Sequence, residues 1–429
     1  MPMTLNLTAA SPSANQHPAK QELTVNTHFS PIDFSKVSSL VATILQEALA
    51  GIEISERQGT QLFQSTGHDI TAIAQCADLI RQRSVGDKAS FVITRNINFT
   101  NICYMGCKFC GFSKSKNASD AELLSMSEIA TRAQQAWDRG ATEVCIQGGL
   151  HPDLPADHYR NILIAIKSQV PDMHIHAFSP FEIMFGSQNS GLSYREFIQD
   201  LMDHGLGSMP GTAAEILDIE IRKQLTRDKL TTEQWVEIIS TAHQLGLPTT
   251  STIMYGHIDA PHHWAAHIAL LRDMQKKHGG FTEFVPLGFV HYESPLYTDR
   301  KKLKLHVRPG PSANENILMH AVSRIMLNGW IDNIQASWVK LGPDYAVQML
   351  RAGANDIGGT LMNETITRSS GGIHGEEILP DDMVKMIERS GLTPFRRDTL
   401  YRQQQSFPPL AASNLISHQQ LASNHGAQL

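Results

Sequence analysis

Asn98-Phe-Thr-Asn-Ile-Cys-Tyr-Met-Gly-Cys-Lys-Phe-Cys-Gly-Phe112 holds Cys103, Cys107 and Cys110, three of the chain's five cysteines, in a C-x3-C-x2-C array. A strand-like run, Phe91 to Thr100, delivers the chain to it. Gly106 lets the backbone turn tightly between the thiols, and Phe109 stands where it can shield the last of them. Three thiolates on one short loop suit a soft metal centre. Structural zinc wants four protein ligands, and no second Cys or His pair lies nearby to complete a tetrahedron. Ferredoxin-type clusters also take four cysteines. Three ligands therefore point to a four-iron cluster with one iron open. A zinc loop and three unrelated thiols are the alternatives.

Outward from this loop, the chain has 429 residues, 41% of them hydrophobic, enough for one large α/β barrel or two to three smaller domains. A net charge of −6 and a pI near 6.4 favour neither nucleic acid nor an anionic membrane as partner. Five cysteines with three clustered are not a disulfide framework, and the cluster implies a reducing, cytoplasmic setting. The sequence holds no apolar run long enough to span a membrane and no apolar signal core at its start. The expected organisation is a disordered extension over residues 1–30, rich in Ser, Thr, Asn and Pro, then a helical preamble over 31–85. A barrel follows over 86–401, and a loose Gln/Ser/Asn-rich tail over 402–429.

Within 31–85, Val41, Ile44, Leu45 and Ala48, then Ile70, Ile73, Ala74, Ala77 and Ile80, repeat at helical spacing, with Cys76 on the apolar face as a core thiol. From Phe91 a strand–helix alternation begins. Strands are expected at Phe91–Thr100, Glu143–Gln147, His174–Ser179, Leu206–Pro210, Thr249–Tyr255, Glu283–Phe289, Ile331–Trp338 and Asn355–Leu361, the fourth and eighth being weakest. Helices between them carry apolar stripes, such as Ile129, Ala133, Ala136 and Trp137, or Trp235, Ile238, Ile239 and Ala242. Capping boxes open several, with Ser125 paired to Glu128, Thr231 to Gln234 and Ser312 to Glu315. Eight such units predict a parallel (β/α)8 TIM-type barrel, with a six-strand open barrel as the alternative.

Chemistry in such a barrel sits at the carboxyl ends of the strands, and the distinctive residues fall there. They are the cysteine loop, Gln147-Gly-Gly-Leu-His-Pro152, Ser179-Pro-Phe-Glu182, Pro210-Gly-Thr-Ala-Ala-Glu215, Tyr255-Gly-His257 and His291-Tyr-Glu-Ser294. Glu182 reads as the far half of a capping box with Ser179. Glu215 can be read as a carboxylate in the first turn of a helix. His263 and His267 share a helix face but lack a third ligand, so a metal site there is not expected. Cys145, within the second strand, reads as a core thiol. Neither a G-x-x-x-x-G-K-[ST] phosphate loop nor a G-x-S-x-G elbow occurs.

The cysteine array resembles the radical S-adenosylmethionine (SAM) superfamily, whose open iron chelates the amino and carboxylate groups of SAM. That resemblance implies a [4Fe-4S] cluster on Cys103, Cys107 and Cys110. Gly148-Gly149 is similar to the superfamily's Gly-Gly-Glu motif, with Leu150 in place of the acid, so the backbone role is implied and the carboxylate role is not. Glu215, four residues after Gly211, is similar to the acid that holds the ribose hydroxyls of SAM, and Ser179 joins the implied SAM set.

The likeness is more specific elsewhere. His176-Ala-Phe-Ser-Pro180, Ser208-Met-Pro-Gly-Thr-Ala-Ala-Glu-Ile-Leu217, Ile253-Met-Tyr-Gly-His257, Phe284-Val-Pro-Leu-Gly-Phe289 and Asn355-Asp-Ile-Gly-Gly-Thr-Leu-Met-Asn-Glu364 carry it. From about residue 40 to Tyr401 they resemble the second-subunit family of 7,8-didemethyl-8-hydroxy-5-deazariboflavin synthase, the tyrosine 4-hydroxyphenyl transferases. The resemblance implies a cytoplasmic enzyme of deazaflavin (coenzyme Fo) biosynthesis. A reduced flavodoxin or ferredoxin would supply one electron for cleavage of SAM to methionine and a 5′-deoxyadenosyl radical. That radical would take hydrogen from L-tyrosine, which would fragment to 2-iminoacetate and a 4-hydroxybenzyl group. Addition to 5-amino-6-(D-ribitylamino)uracil would give the adduct that a partner subunit cyclises. Tyr255, His257, His291 and Glu293 are the expected substrate contacts. A menaquinone-pathway enzyme, or the partner subunit of the same synthase, is the alternative within the superfamily. An iron–sulfur electron carrier is the alternative from another class.

Overall fold

Lys88–Val92 (β1) and Thr94–Asn98 (β2), separated by Ile93, make one bent strand from which the architecture can be traced in both directions. The structure, a computed structural model, describes residues 32–226 and 230–402. β2 pairs in parallel with Glu143–Gln147 (β3), and β3 with His174–Ala177 (β4). His176 bridges to Ser208 and Met209 to Thr249, the first residue of Thr249–Tyr255 (β5). β5 pairs with Phe281–Gly288 (β6). Phe284 then bridges to Ile334, and Gln335 to Asp356, which opens Asp356–Gly359 (β7). β7 returns to β1, and every step is parallel. The ring therefore closes with eight positions, as the strand–helix alternation predicts, and the six-strand alternative falls away.

Two of the eight positions are shorter than expected. The fourth and seventh shrink to the bridges at Ser208–Met209 and Ile334–Gln335, whereas the eighth, expected to be weak, is a regular strand. Gly358 in that strand has φ +80, a conformation glycine adopts freely. A ninth strand, Thr393–Arg396 (β8), pairs in parallel with β1 on the side away from β7. Its Pro394 obscures it in the sequence, and its place at the sheet edge is where proline is tolerated.

The helices owe their starts to the capping boxes. Ser125, Thr231 and Ser312 each accept a hydrogen bond from the backbone N–H three residues on, and the N3 side chain returns the contact. Of the stripe on Met126–Asp138, Ile129, Ala133 and Ala136 are buried and Trp137 turns outward. Ser39–Leu49, Glu56–Phe63 and His68–Val85 fill the stretch expected to be helical. The last two pack on the outer-ring helices Ala313–Met326 and Pro261–His278, so they cover the side of the barrel. Cys76 is fully buried on that face. No described helix is long and apolar enough to cross a membrane. The expected extension over 1–30 and the tail from 403 lie outside the described residues.

The floor of the barrel, at the amino-terminal ends of the strands, is polar. Glu143, Glu283 and Asp356 point into it, and all three are buried. After β8 the chain turns beneath the barrel and inserts Arg397, whose Nε and Nη2 lie 2.6 and 3.1 Å from the two Asp356 oxygens. Arg397 also stands 3.6 Å from Glu283. Thr399 donates to Glu143 and Tyr401 to Glu283. Carboxylates that face one another in a dry floor need a cation between them, and the C-terminal segment brings it.

Candidate active site

The carboxyl mouth is organised by the cysteine loop that leaves β2. The Cys103 N–H donates to the Lys114 carbonyl at 3.1 Å, and the Ser113 hydroxyl donates to the Cys103 carbonyl at 3.3 Å. Gly106 takes φ +62 at the turn. The Cys110 N–H donates to the Cys107 carbonyl at 3.1 Å, and the Lys108 N–H to the Leu225 carbonyl at 3.0 Å. The backbone is thus tied down at several points along the loop. Cys103, Cys107 and Cys110 are half-buried, none is in a disulfide, and all three line one open cavity of about 260 Å³. Cys76 and Cys145 are a different kind of thiol, since burial pushes each up to about 12, where a thiol stays protonated and inert. Among the described residues no three Cys, His, Asp or Glu side chains converge on one metal ion. Cluster ligands need not converge, because each reaches a different iron, so the donor set fits a cluster better than a single zinc.

The Gly148-Gly149 turn at the end of β3 runs directly under this loop. A Cβ on Gly149 would stand 2.3 Å from the Ile102 carbonyl oxygen and 2.9 Å from the Cys103 Cβ. One on Gly148 would strike the Phe99 ring at 2.4 Å. Gly149 is there because two backbones cross within contact distance and Gly148 because the Phe99 ring lies against it, and neither has a positive φ. Leu150, where the superfamily has an acid, is buried at 2% exposure.

Ser179 caps the helix Pro180–Ser190, and Glu182 closes the box, as expected. Glu182 does more than cap. One of its oxygens accepts from the Ser179 N–H and hydroxyl, both at 2.7 Å, and the other accepts from the Gly148 N–H at 3.0 Å. It therefore fastens the glycine turn to the third strand end. Burial pushes its carboxyl up to about 7 against those hydrogen bonds. An acid raised in the folded state binds its proton more tightly there than in the unfolded chain, so stability falls as pH rises from about 4.3 to about 7. The difference between wild type and Glu182→Gln in urea should therefore vary by on the order of 3 kcal/mol across that window. A difference that does not vary with pH would show that Glu182 titrates normally.

Glu215 is not in the first turn of a helix. Ala213 and Glu215 have φ +63 and +40, and the next helix, Ile219–Leu225, starts behind its own cap, Asp218. Glu215 is held in a loop, 3.9 Å from Arg222, and it lines the cavity. Gly211 at the head of that loop sits where a Cβ would meet the Thr250 carbonyl at 2.2 Å. Cys103, Cys107, Cys110, Gly148, Gly149, Ser179 and Glu215 are thus brought to one wall-to-wall site.

Tyr255, His257, His291 and Glu293 are not among the residues lining it. Side chains alternate along β5, so Thr252 and Met254 face the cavity while Tyr255 points outward against Trp264. The Tyr255 hydroxyl donates to Asn316 Oδ1 at 2.7 Å. His257 is fully buried, with Nε2 2.9 Å from the Met254 carbonyl and Nδ1 accepting from the Ile258 N–H at 2.7 Å. Both ring nitrogens thus already serve the backbone. His291 packs at a tilt against Tyr292 and edge-on against Tyr297, and Glu293 is exposed. Glu293 adjoins the site only through its N–H, which donates to the carbonyl of Ser370, a lining residue.

The sequence reading missed Thr252 and Lys340, and gave no role to Gln147 and Thr212 within the stretches it quoted, though all four are on the cavity wall. Strand alternation from Met254 would have found Thr252. Lys340 follows the seventh strand position, which is too short to set a period. Its ammonium is lowered by burial, partly offset by Glu364 and the Cys110 thiolate.

Comparison with known proteins agrees with this geometry. The description "Radical SAM superfamily" matches residues 97–271, and "CofH/MqnC C-terminal region" matches 278–409. The FO synthase of Mycobacterium tuberculosis is 50% identical over 363 residues, 83% of this chain but 42% of that one. The chain thus spans less than half the length of such relatives. The 5-amino-6-(D-ribitylamino)uracil–L-tyrosine 4-hydroxyphenyl transferase of Methanothermobacter thermautotrophicus is 46% identical over 360 residues, covering 84% of this chain and 96% of that one. Among solved structures, methylornithine synthase PylB superposes with a TM-score of 0.62 at 17% identity, over 82% of this chain and 97% of that one. The hydrogenase maturase HydG from Carboxydothermus hydrogenoformans gives 0.66 at 15%, over 84% and 80%. At those identities the two share the fold. The chain therefore belongs to the radical SAM superfamily, whose members imply a [4Fe-4S] cluster and SAM, and within it to the family of the archaeal 4-hydroxyphenyl transferase.

Proposed function

We propose that this chain joins the 4-hydroxybenzyl group of L-tyrosine to 5-amino-6-(D-ribitylamino)uracil, in deazaflavin biosynthesis. The products are 5-amino-5-(4-hydroxybenzyl)-6-(D-ribitylimino)-5,6-dihydrouracil, 2-iminoacetate, methionine and 5′-deoxyadenosine. The observation that carries it is the near end-to-end correspondence with a transferase of that name. The three-thiol cavity supports it.

In this reading Cys103, Cys107 and Cys110 hold the cluster, which when bound supplies the electron that cleaves SAM. Gly148 and Gly149 let the backbone approach SAM without side chains intervening. Glu215, steadied by Arg222, takes the ribose hydroxyls, and Ser179 lies beside them. Phe109, Phe112, Phe181 and Phe289 give the cavity apolar walls that exclude water from a reactive species. Gln147, Thr212 and Thr252 offer donors and acceptors for a uracil edge and a ribityl chain. His291 and Glu293 are rim contacts in this reading, whereas Tyr255 and His257 act behind the wall.

A reduced flavodoxin or ferredoxin is the proposed electron donor and the cytoplasm the proposed setting. A cyclising subunit completes the deazaflavin, and the unmatched length of the FO synthases has room for one. Residues 31–85 serve as a helical preamble to the barrel at 86–401.

The test is product analysis under anaerobic reduction with SAM, tyrosine and the diaminouracil. Both 5′-deoxyadenosine and the hydroxybenzyl adduct are expected. Tyrosine consumption without adduct would overturn the transferase assignment, and adduct formation with an enolpyruvyl benzoate instead would place the chain in the menaquinone branch. No 5′-deoxyadenosine at all would leave an electron carrier.

A further inference from the structure

We propose that Lys340 binds the carboxylate of the amino-acid substrate, an inference that rests on the tyrosine reading above. Lys340 lies on the short helix Trp338–Leu341. That helix is pinned by Trp338, which is 1% exposed and donates from Nε1 to the Gly359 carbonyl at 2.9 Å. The lysine is thereby held against the cavity that the three thiols line.

Charge separates Lys340 from the other lining residues. Among the described residues that line the cavity it is the one cation. The two carboxylates there are already engaged, Glu182 with Ser179 and Gly148, Glu215 with Arg222. Two anions act on Lys340: Glu364, whose Oε1 is committed to the Thr367 N–H at 2.9 Å and hydroxyl at 3.1 Å, and the Cys110 thiolate, which the proposed cluster would take. An ammonium beside walls of Phe109, Phe181 and Phe289 has lost part of its water and gains most from an anion that enters the cavity.

Topology says which anion. Gly148, Ser179 and Glu215, the residues assigned to SAM, follow the second, third and fourth ring positions. Lys340 follows the seventh, across the mouth from the third. The carboxylate of SAM belongs to the open iron in the superfamily arrangement. The ribityl-uracil carries no acid group. The remaining anion is the carboxylate of tyrosine, on the side of the cavity left open to it. A compact ammonium suits a single carboxylate approached end-on.

The test uses the cluster-loaded enzyme with SAM present and the cluster kept oxidised, so that binding is read without turnover. Equilibrium dialysis compares L-tyrosine with L-tyrosinamide, which lacks the anion. Wild type should prefer tyrosine by about 10–100-fold. Lys340→Met should bind the two alike, and Lys340→Arg should keep part of the preference. Iron content and SAM affinity should not change in Lys340→Met. The inference is overturned if Lys340→Met keeps the full preference, or if it loses SAM affinity instead, which would put the lysine on the SAM side. Wild type that binds neither ligand would sink the tyrosine reading itself, a result distinct from the other two.

Discussion

Alanine at Cys103, Cys107 or Cys110 is expected to abolish iron loading and 5′-deoxyadenosine formation, each substitution by itself. The wild-type chain should reconstitute with about four irons. The physical reason is that three thiolates would be the whole protein ligand set of the proposed cluster, so removing one would leave two irons without a protein anchor. The same change at Cys76 or Cys145 should leave iron content intact. Cys76 sits under the preamble helices, and Cys145 is a thiol pushed up to about 12 inside the barrel. Iron per chain and 5′-deoxyadenosine per turnover check both halves. If Cys145→Ala lost the iron, the three-ligand set would be wrong and a fourth protein ligand would exist.

Arg397→Met should cost about 3–5 kcal/mol of stability in urea or thermal unfolding, the usual result of removing one partner from a buried ionic network. Arg397 is fixed on both Asp356 oxygens and faces Glu283, and its ring contact with Tyr401, 4.0 Å from centroid to guanidinium, keeps it in line. Its guanidinium is held well above the usual range by Asp356, Tyr401 and Glu283 despite burial. Burial pushes Glu283 up to about 7 even with Arg397 beside it. Without Arg397 the floor would hold carboxylates that must either stay charged without a partner or take up protons. Adding Asp356→Asn to Arg397→Met should recover part of the loss, because it removes one of the stranded charges. A loss below about 1 kcal/mol would mean that water reaches the floor and screens it.

The bottom of the barrel was not legible because its partners are far apart in sequence. Glu143, Glu283, Asp356 and Arg397 share no local pattern, and each alone reads as a surface charge. β8 was missed for a related reason. Four residues with a proline carry no period, and only pairing with β1 makes them a strand. The fourth and seventh ring positions show the converse, since Leu206–Pro210, already weak in the sequence, and Ile331–Trp338 read as strands but yield isolated bridges.

What the sequence determined by itself was whatever depends on neighbours a few residues apart. The thiol spacing put three cysteines on one short loop. The Ser-x-x-Glu and Thr-x-x-Gln pairs set the helix starts, and the strand–helix period set the eight-position barrel. Tertiary structure alone decided what depends on direction. Strand alternation turned Tyr255 away from the cavity and Thr252 toward it, and a ring nitrogen bonded to the Met254 carbonyl took His257 out of the site. A backbone crossing at Ile102 explained Gly149 and the Phe99 ring explained Gly148, both nearly 50 residues earlier in the chain. Closure of the ring carried Lys340 to the wall opposite Ser179, because only a closed parallel sheet brings its seventh position across from its third.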